Sequence, residues 1–260
     1  MTTSSYTQAV AEVARAAGNR AQEFFATSLV VDTKADGSPV TIADRSAEQL
    51  AREWIGQRFP SDGIVGEEFG ADRSSAARRW IIDPIDGTKS FVRGVPLWGT
   101  LIAVAEANEV IAGAAYFPAL GDIIVAGRGE GCWWNDNKCS VSIVSEVSAS
   151  AVLGSGFIDD GPRGDRWAEL IRQAALFRTW GDCYGYFLVA TGRADVMVDP
   201  VVSEWDVAAF LPIIEEAGGV LTDWTGARTA QGGNAIATNA ALAREVRQIL
   251  GANTDRNPGT

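Results

Sequence analysis

Two carboxylates stand in one short segment that combines a strand end, a tight turn and a run of small residues. Residues 80 to 91 read Trp-Ile-Ile-Asp-Pro-Ile-Asp-Gly-Thr-Lys-Ser-Phe, so an apolar stretch leads Asp83 and Asp86 into the turn. Carboxylates are ligands that hard divalent cations prefer, and unobstructed N–H groups after a glycine bind phosphate. Three consecutive positions offer such groups: Gly87, Thr88 and Lys89. The segment therefore predicts a metal site beside a phosphate site.

Other acidic segments of the chain indicate whether the Asp83–Asp86 segment is only a structural turn or part of a chemical site. An Asp-x-x-Asp-Gly segment alone is more often a turn than a catalytic motif. The chain also carries Asp44, Glu67 and Asp206 in short segments with small or apolar neighbours. Because these negative charges would repel one another and a phosphate, their cluster needs cations inside it. We therefore expect a site for Mg²⁺, which Mn²⁺ can replace.

The expected metal ligands form two sites that share one bridging carboxylate, Asp83. The ligands are Glu67, Asp83, the Ile85 carbonyl oxygen, Asp86 and Asp206. Glu67 and Asp44 are expected to act in catalysis with Thr88, whose hydroxyl Asp44 would orient so that the pair positions the attacking water. A structural interpretation stays open for two residues, since Asp44 fits the first turn of a helix and Asp206 fits an N-cap.

The composition of the 260-residue chain removes several classes of protein. The chain contains no histidine, which excludes Ser-His-Asp and Cys-His catalysis and leaves oxygen to hold any metal. A net charge of −11 without a basic stripe argues against nucleic-acid binding. We expect no signal peptide and no membrane association, hence a cytoplasmic protein. The cysteines, Cys132, Cys139 and Cys183, show no Cys-x-x-Cys spacing and are expected to be idle thiols.

Apolar periodicity predicts the elements that must position these residues. Helices are expected over 5–26 and 43–58, followed by a polar loop over 69–79 and an antiparallel meander between 99 and 144. Beyond the meander, strands and helices alternate, and one helix is expected over 206–217.

The change of pattern near residue 145 predicts two packed halves that share one cleft. Residues 1–145 would form an α+β half with most metal ligands, and residues 146–260 an α/β half with Asp206 and the specificity residues. The chain as a whole is therefore expected to be an α/β (α+β) protein.

Four segments resemble the inositol monophosphatase superfamily. Trp80–Phe91 is similar to its Asp-Pro-(Ile/Leu)-Asp-Gly-Thr signature, and Trp205–Ala209 with Gly218–Gly219 is similar to its second signature. Gly66–Glu68 and Val40–Asp44 match its upstream ligand segments in the same order. The resemblance covers nearly the whole chain. It implies a layered α-β-α-β-α fold of the fructose-1,6-bisphosphatase type, a homodimer, lithium sensitivity, and hydrolysis of phosphate monoesters by direct water attack with two to three Mg²⁺ held by the ligands named above.

The substrate is expected to be set by three carboxylates of the second half: Asp182, Asp199 and Glu204. In the inositol enzymes the position of Asp199 is typically a glutamate that binds sugar hydroxyls. Extra carboxylates suit a cationic substrate, and histidinol phosphate carries an ammonium and an imidazole. Trp180–Tyr186 also resembles the histidinol-phosphatase branch. Histidinol phosphate is therefore favoured, while inositol phosphate, a broad range of small phosphate esters and a regulator without turnover stay open, as does pairing of Asp182 and Glu204 with arginines.

Overall fold

Two β-sheets of different size organise the chain, in a computed structural model that describes residues 5–28, 30–33, 37, 39–154 and 161–252. The strands are β1 (Val31–Thr33), β2 (Pro39–Thr41), β3 (Gly63–Gly66), β4 (Gly70–Asp72), β5 (Arg78–Asp86), β6 (Gly99–Glu106), β7 (Glu109–Phe117), β8 (Asp122–Gly127), β9 (Gly131–Trp134), β10 (Asn137–Lys138), β11 (Ala151–Gly154), β12 (Leu176–Arg178), β13 (Val196–Asp199), β14 (Gly219–Thr222) and β15 (Ala235–Asn239). The large sheet has the order β10-β9-β8-β7-β6-β5-β3-β4, and the small sheet has the order β12-β11-β13-β15-β14. Strands β1 and β2 form a separate pair.

Helices cover the faces of both sheets. They are α1 (Ser5–Gln22), α2 (Ile42–Arg58), α3 (Thr88–Phe91), α4 (Pro162–Gln173), α5 (Asp182–Ala190), α6 (Glu204–Val207), α7 (Phe210–Glu216) and α8 (Ala243–Leu250). A 3₁₀ turn at Val147–Ala149 precedes β11. Within the described ranges, none of these helices is both long and apolar enough to cross a bilayer.

Three apolar clusters define five layers. Helices α1 and α2 pack on one face of the large sheet, where Val13 meets residues such as Ile102. The opposite face, with Leu101, packs with Phe187 and the helices that lie between the two sheets. The outer face of the small sheet packs with α4 and α8 around Leu170. The predicted layered α-β-α-β-α fold is confirmed.

Strand β6 shows why the large sheet is covered on both faces. Its residues from Gly99 to Ala105 are all buried. Because side chains alternate along a strand, Leu101 and Ala103 enter the cluster between the sheets, while Ile102 and Val104 enter the cluster under α1 and α2. A continuous apolar run is the pattern of a strand that is buried on both sides.

Several elements differ from the sequence prediction. The expected loop over 69–79 contains β4. Strand β15 was not predicted, because Ala-Ile-Ala-Thr-Asn is buried throughout and shows no alternation. The expected helix over 206–217 is divided into α6 and α7, because Pro212 has no N–H to donate to the carbonyl of Ala208. The tail beyond Ala252 lies outside the described residues.

The division of the chain near residue 145 is a proposal that the strand order supports. All strands of the large sheet precede Cys139, and all strands of the small sheet follow Ser150. The cluster between the sheets nevertheless draws on both halves, with Leu101 and Phe117 from the first and Phe187 and Met197 from the second. The two halves therefore share a core.

Close packing of the α6–α7 junction on β7 generates a stability prediction. A methyl group added at Gly113 would clash with the backbone carbonyl of Ala209, whereas one added at Gly56 in α2 meets nothing within 4 Å. We expect Gly113→Ala to lower the free energy of unfolding by about 1–3 kcal/mol through overpacking. Gly56→Ala should raise it by about 0.5–1 kcal/mol. Urea denaturation followed by circular dichroism measures both, and equal stabilities would contradict the expectation.

Candidate active site

A bulge at the end of β5 brings Asp83 and Asp86 to the same side. Residues three apart on a regular strand point to opposite faces. In the pairing of β5 with β6, however, Asp83 faces Leu101 and Asp86 faces Gly99, so the register shifts between them. An extra residue of this kind re-aims the side chains that follow it. The Asp83 carboxylate also accepts the Ile85 N–H at 3.0 Å, which fixes the turn.

Asp206 completes a cluster of three carboxylates. Oxygens of Asp83, Asp86 and Asp206 lie within 4.8 Å of one another. Asp206 reaches the cluster from α6, where Ser203 is the N-cap and donates its N–H to the Asp206 carboxylate at 2.8 Å. The N-cap is therefore Ser203 and not Asp206, which the structural interpretation of the sequence had in that place; Asp206 is the N3 residue of a capping box.

Glu67 lies against the same cluster. It follows β3, which runs parallel to β5, and its N–H donates to the Ile82 carbonyl at 3.2 Å. Burial, and next the negative charge of Glu67, raises the pKa of Asp83 well above its ordinary value. Neighbouring parallel strands end at the same edge of a sheet, which explains how residues 16 positions apart meet.

Burial and charge repulsion together set the electrostatics of the cluster. Burial, and then the charges of Asp182 and Asp206, raises the pKa of Asp86 well above its ordinary value. Raised carboxylate pKa values mean that the charged forms require compensation. An all-oxygen donor set in a chain without histidine fits Mg²⁺ or Mn²⁺ and does not fit metals that favour nitrogen or sulfur.

Asp44 and Thr88 do not form the predicted pair. The Thr88 hydroxyl donates to the Ile85 carbonyl oxygen at 2.9 Å. Asp44 instead accepts the Thr41 hydroxyl at 2.6 Å and the Thr41 N–H at 2.7 Å, in the capping box of α2. Burial raises the pKa of Asp44 to about 6. The structural role foreseen for Asp44, in the first turn of α2, is thus present.

The expected phosphate-binding residues surround the start of α3. Gly87 precedes this helix with φ of 83°, a conformation that suits glycine. Thr88 and Lys89 are its first two residues. The first N–H groups of a helix have no acceptor within the helix. They are therefore available to an anion beside the carboxylate cluster.

Two of the three expected substrate residues line one pocket with two carboxylates of the cluster, Asp86 and Asp206. The residues of this pocket are Asp86, Asp182, Cys183, Tyr186, Asp199, Val201, Val202 and Asp206. Buried Tyr186 donates its hydroxyl to Asp199 at 2.7 Å and stacks on Phe210. Burial raises the pKa of Asp182, and the charge of Lys89 opposes that rise. The sequence suggested an arginine near Asp182, and the positive charge that acts on Asp182 is that of Lys89.

Glu204 lies outside this pocket. It lines a separate cavity with Arg79 and Arg228 and accepts a hydrogen bond from Gln231 at 3.0 Å. Residues two apart on a helix do not face each other, so the side chain of Glu204 leaves α6 on a different side from Asp206. The geometry does not support the predicted role of Glu204 in substrate binding.

Comparison with known proteins shows which family the chain belongs to. The profile of the inositol monophosphatase family matches residues 3–252. The chain belongs to the inositol monophosphatase family. It is 44% identical over 248 residues to a histidinol-phosphatase of Chlorobaculum parvum, with 94% of this chain and 96% of that protein covered. A histidinol-phosphatase of Mycobacterium tuberculosis is 42% identical over 253 residues, with 92% and 97% covered. A solved inositol monophosphatase from Zymomonas mobilis is 29% identical with a TM-score of 0.85, covering 96% of this chain and 100% of that one.

Family membership confirms the prediction of a phosphatase. It also confirms the fold class, since the solved relative superimposes over nearly its whole length. The assignment of individual residues within this family member rests on the geometry described above.

Sequence reasoning missed Glu48, which supports the segment that carries Glu67. Its fully buried carboxylate accepts the N–H groups of Glu68 at 2.7 Å and Phe69 at 3.2 Å, and pairs with Arg52 at 2.7 Å. A glutamate four residues before an arginine on a helix usually indicates a solvated surface pair. The sequence offered no signal that this one turns inward. Gly66 leaves the space that Glu48 fills.

We expect Glu48→Gln to weaken divalent-cation binding by this phosphatase about 10–100-fold, as changes to groups that orient metal ligands commonly do. The amide cannot pair with Arg52 and accept both N–H groups, so the loop carrying Glu67 loses its anchor. Isothermal titration with Mg²⁺ measures the affinity. The matched control is Glu53→Gln on the same helix, an exposed residue bonded to Gln49. Equal affinities of the two variants would remove Glu48 from this role.

Proposed function

We propose that the chain is a Mg²⁺-dependent histidinol-phosphate phosphatase, which converts L-histidinol phosphate and water to L-histidinol and phosphate. The choice of substrate rests on one observation: Asp182 and Asp199 lie in the pocket that also contains Asp86 and Asp206. Asp199 alone does not separate the two substrates, because the inositol enzymes typically carry an acid at this position. Asp182 is the additional acid, and an additional acid beside a cluster that already needs cations favours a substrate that is itself cationic. The names of the two bacterial relatives support the same substrate.

The metal ligands in this proposal are Glu67, Asp83, the Ile85 carbonyl oxygen, Asp86 and Asp206. Two to three Mg²⁺ would neutralise the cluster, lower the pKa of a bound water and offset charge on the leaving oxygen. The Ile85 carbonyl accepts the Thr88 hydroxyl, and one of its two lone pairs remains for a cation. We expect Mn²⁺ to substitute for Mg²⁺, since both take oxygen ligands.

Phosphate binding is assigned to the N–H groups of Gly87, Thr88 and Lys89. In this arrangement the Thr88 hydroxyl oxygen and the Glu67 carboxylate accept hydrogen bonds from water and orient it towards phosphorus. Asp44 contributes by ordering Thr41 and the start of α2. This is a positioning role in place of the direct contact with Thr88 expected from the sequence.

The non-phosphate end of the substrate is assigned to Asp182 and Asp199. Tyr186 holds Asp199 in place through its hydroxyl, so the carboxylate is oriented before substrate arrives. The ammonium and imidazole of histidinol phosphate would form charge-assisted hydrogen bonds with these acids. An inositol ring offers only neutral hydroxyls to the same carboxylates. Action in the cytoplasm as a homodimer without nucleic acid, and sensitivity to lithium, stay predictions.

Chelation tests the metal. We expect EDTA to abolish phosphate release and added Mg²⁺ to restore it, because the carboxylate cluster repels a phosphate dianion in the absence of cations. Asp83→Asn and Asp206→Asn should each lower kcat more than about 100-fold with the fold intact by circular dichroism. Turnover that persists in excess chelator would refute the proposal. A variant that keeps more than about a tenth of its rate would remove that residue from the ligand set.

Substrate choice is tested by comparing two esters. We expect Asp182→Asn and Asp199→Asn to raise KM for histidinol phosphate about 10-fold or more, because a hydrogen bond to a charged group contributes about 1.5–3 kcal/mol. KM for inositol 1-phosphate should rise less, because its neutral hydroxyls form weaker hydrogen bonds with these carboxylates than a cationic group does. Glu204→Gln is the matched control, since its side chain lies in a different cavity, and it should alter neither constant. The assignment to histidinol phosphate fails if the wild type prefers inositol 1-phosphate. It also fails if the two variants raise KM equally for both esters.

A further inference from the structure

Two thiols face each other across a hairpin of the large sheet. Cys132 belongs to β9, and Cys139 directly follows β10. Their Sγ atoms lie 3.4 Å apart, and the Cys139 N–H donates to the Cys132 carbonyl at 3.0 Å. The register pairs Lys138 with Trp133, so continuing it by one residue places Cys139 opposite Cys132. The thiols were expected to be idle on sequence spacing, which does not show this pairing.

The backbone is already suited to a disulfide. Opposite residues of an antiparallel pair have Cα atoms about 4.5–5.5 Å apart, within the range of about 4.4–6.8 Å that disulfides span. The sulfur atoms must approach from 3.4 Å to about 2.05 Å. Rotation of the two side chains supplies this movement without displacement of the strands.

The two thiols have different environments. Cys132 is fully buried and Cys139 is half-buried. The hydrogen bond with Cys132 and the charge of Arg193 lower the pKa of Cys139, whereas the same bond and burial raise that of Cys132. The Arg193 guanidinium is held over the rings of Trp134 and Phe187, 4.5 Å from each centroid. Cys139 is thus the accessible nucleophile, and Cys132 is the partner beside it.

We propose that Cys132 and Cys139 form a reversible oxidation site for hydroperoxides. The Cys139 thiolate attacks one peroxide oxygen, the O–O bond breaks, and a sulfenic acid and water result after uptake of a proton. The Cys132 sulfur then attacks the Cys139 sulfur, and a second water leaves with the Cys132 proton. Two thiols and one hydrogen peroxide give one disulfide and two waters. An external dithiol reverses the step.

The disulfide would anchor the segment by which the chain passes from the large sheet to the small one. Directly after Cys139, the Val141 N–H donates to the Ala217 carbonyl at 2.9 Å, at the end of α7. The Ser142 hydroxyl donates to Asp195, just before β13. Linking Cys139 to β9 therefore ties the end of the large sheet to contacts made by the second half. Oxidation should restrict opening of residues 139–144.

Thiol counting on the full chain tests the site. The reduced protein has three cysteines and should take up three N-ethylmaleimide groups when denatured. After brief treatment with hydrogen peroxide it should take up one, on Cys183, and peptide mapping should find Cys132 joined to Cys139. Dithiothreitol should restore three. Retention of three reactive thiols, or a disulfide that involves Cys183, overturns the proposal.

Two variants separate the roles of the thiols. In Cys132→Ala, peroxide should leave a sulfenic acid on Cys139 that dimedone labels; in Cys139→Ser, dimedone should label nothing. Labelling of Cys132 in the second variant would contradict the assigned order of attack. Amide hydrogen exchange of residues 139–144 should slow in the oxidised wild type and recover on reduction. Unchanged exchange would show that the bond does not anchor the crossing segment.

Discussion

Repulsion among closely spaced carboxylates is the constraint on which the site depends. Two unit charges about 4 Å apart interact by about 4 kcal/mol at an effective dielectric constant near 20, and three lie within 4.8 Å here. The fold offsets part of this cost because each carboxylate of the cluster accepts a backbone N–H, from Ile85, Cys183 and Ser203. The remaining charge must be balanced by protons or cations. At neutral pH a divalent cation is the more effective partner, which is the reason why the proposed function assigns metal to this cluster.

The cluster also couples the two halves of the chain. Asp83 and Asp86 belong to β5 of the large sheet, whereas Asp206 comes from α6, between the sheets. The Cys183 N–H, from the start of α5, reaches Asp86 as well. Docking of α5 and α6 onto the large sheet through the shared apolar core therefore assembles the acids. Close contact of the α6–α7 junction with Gly113 fixes how near α6 can approach.

The sequence predicted the carboxylates well and their directions less well. Asp83, Asp86 and Glu67 stand beside glycines and apolar strand residues, a local pattern that marks their chemistry before any fold is known. Glu204 lies only two residues from Asp206, yet a helix turns about 200° over that distance, so proximity along the chain gave a wrong neighbour. Strand β15 and the inward turn of Glu48 depend on tertiary packing, which overrides local pattern. The layered fold followed from the alternation of elements, but the break at Pro212 did not.

In the proposed function, the pocket divides into a metal side and a substrate side. Asp83, Asp86 and Asp206 lie close to one another, whereas the charge of Lys89 opposes the rise in the pKa of Asp182 and Asp199 accepts the Tyr186 hydroxyl. Asp182 and Asp199 thus each have a neighbouring group outside the carboxylate cluster. Lys89 also belongs to the segment assigned to the phosphate, and a phosphate bound there would draw its charge away from Asp182. A cationic group on the same substrate could then take the place of Lys89 beside Asp182. Binding of the phosphate and of the cationic end would in this way support each other.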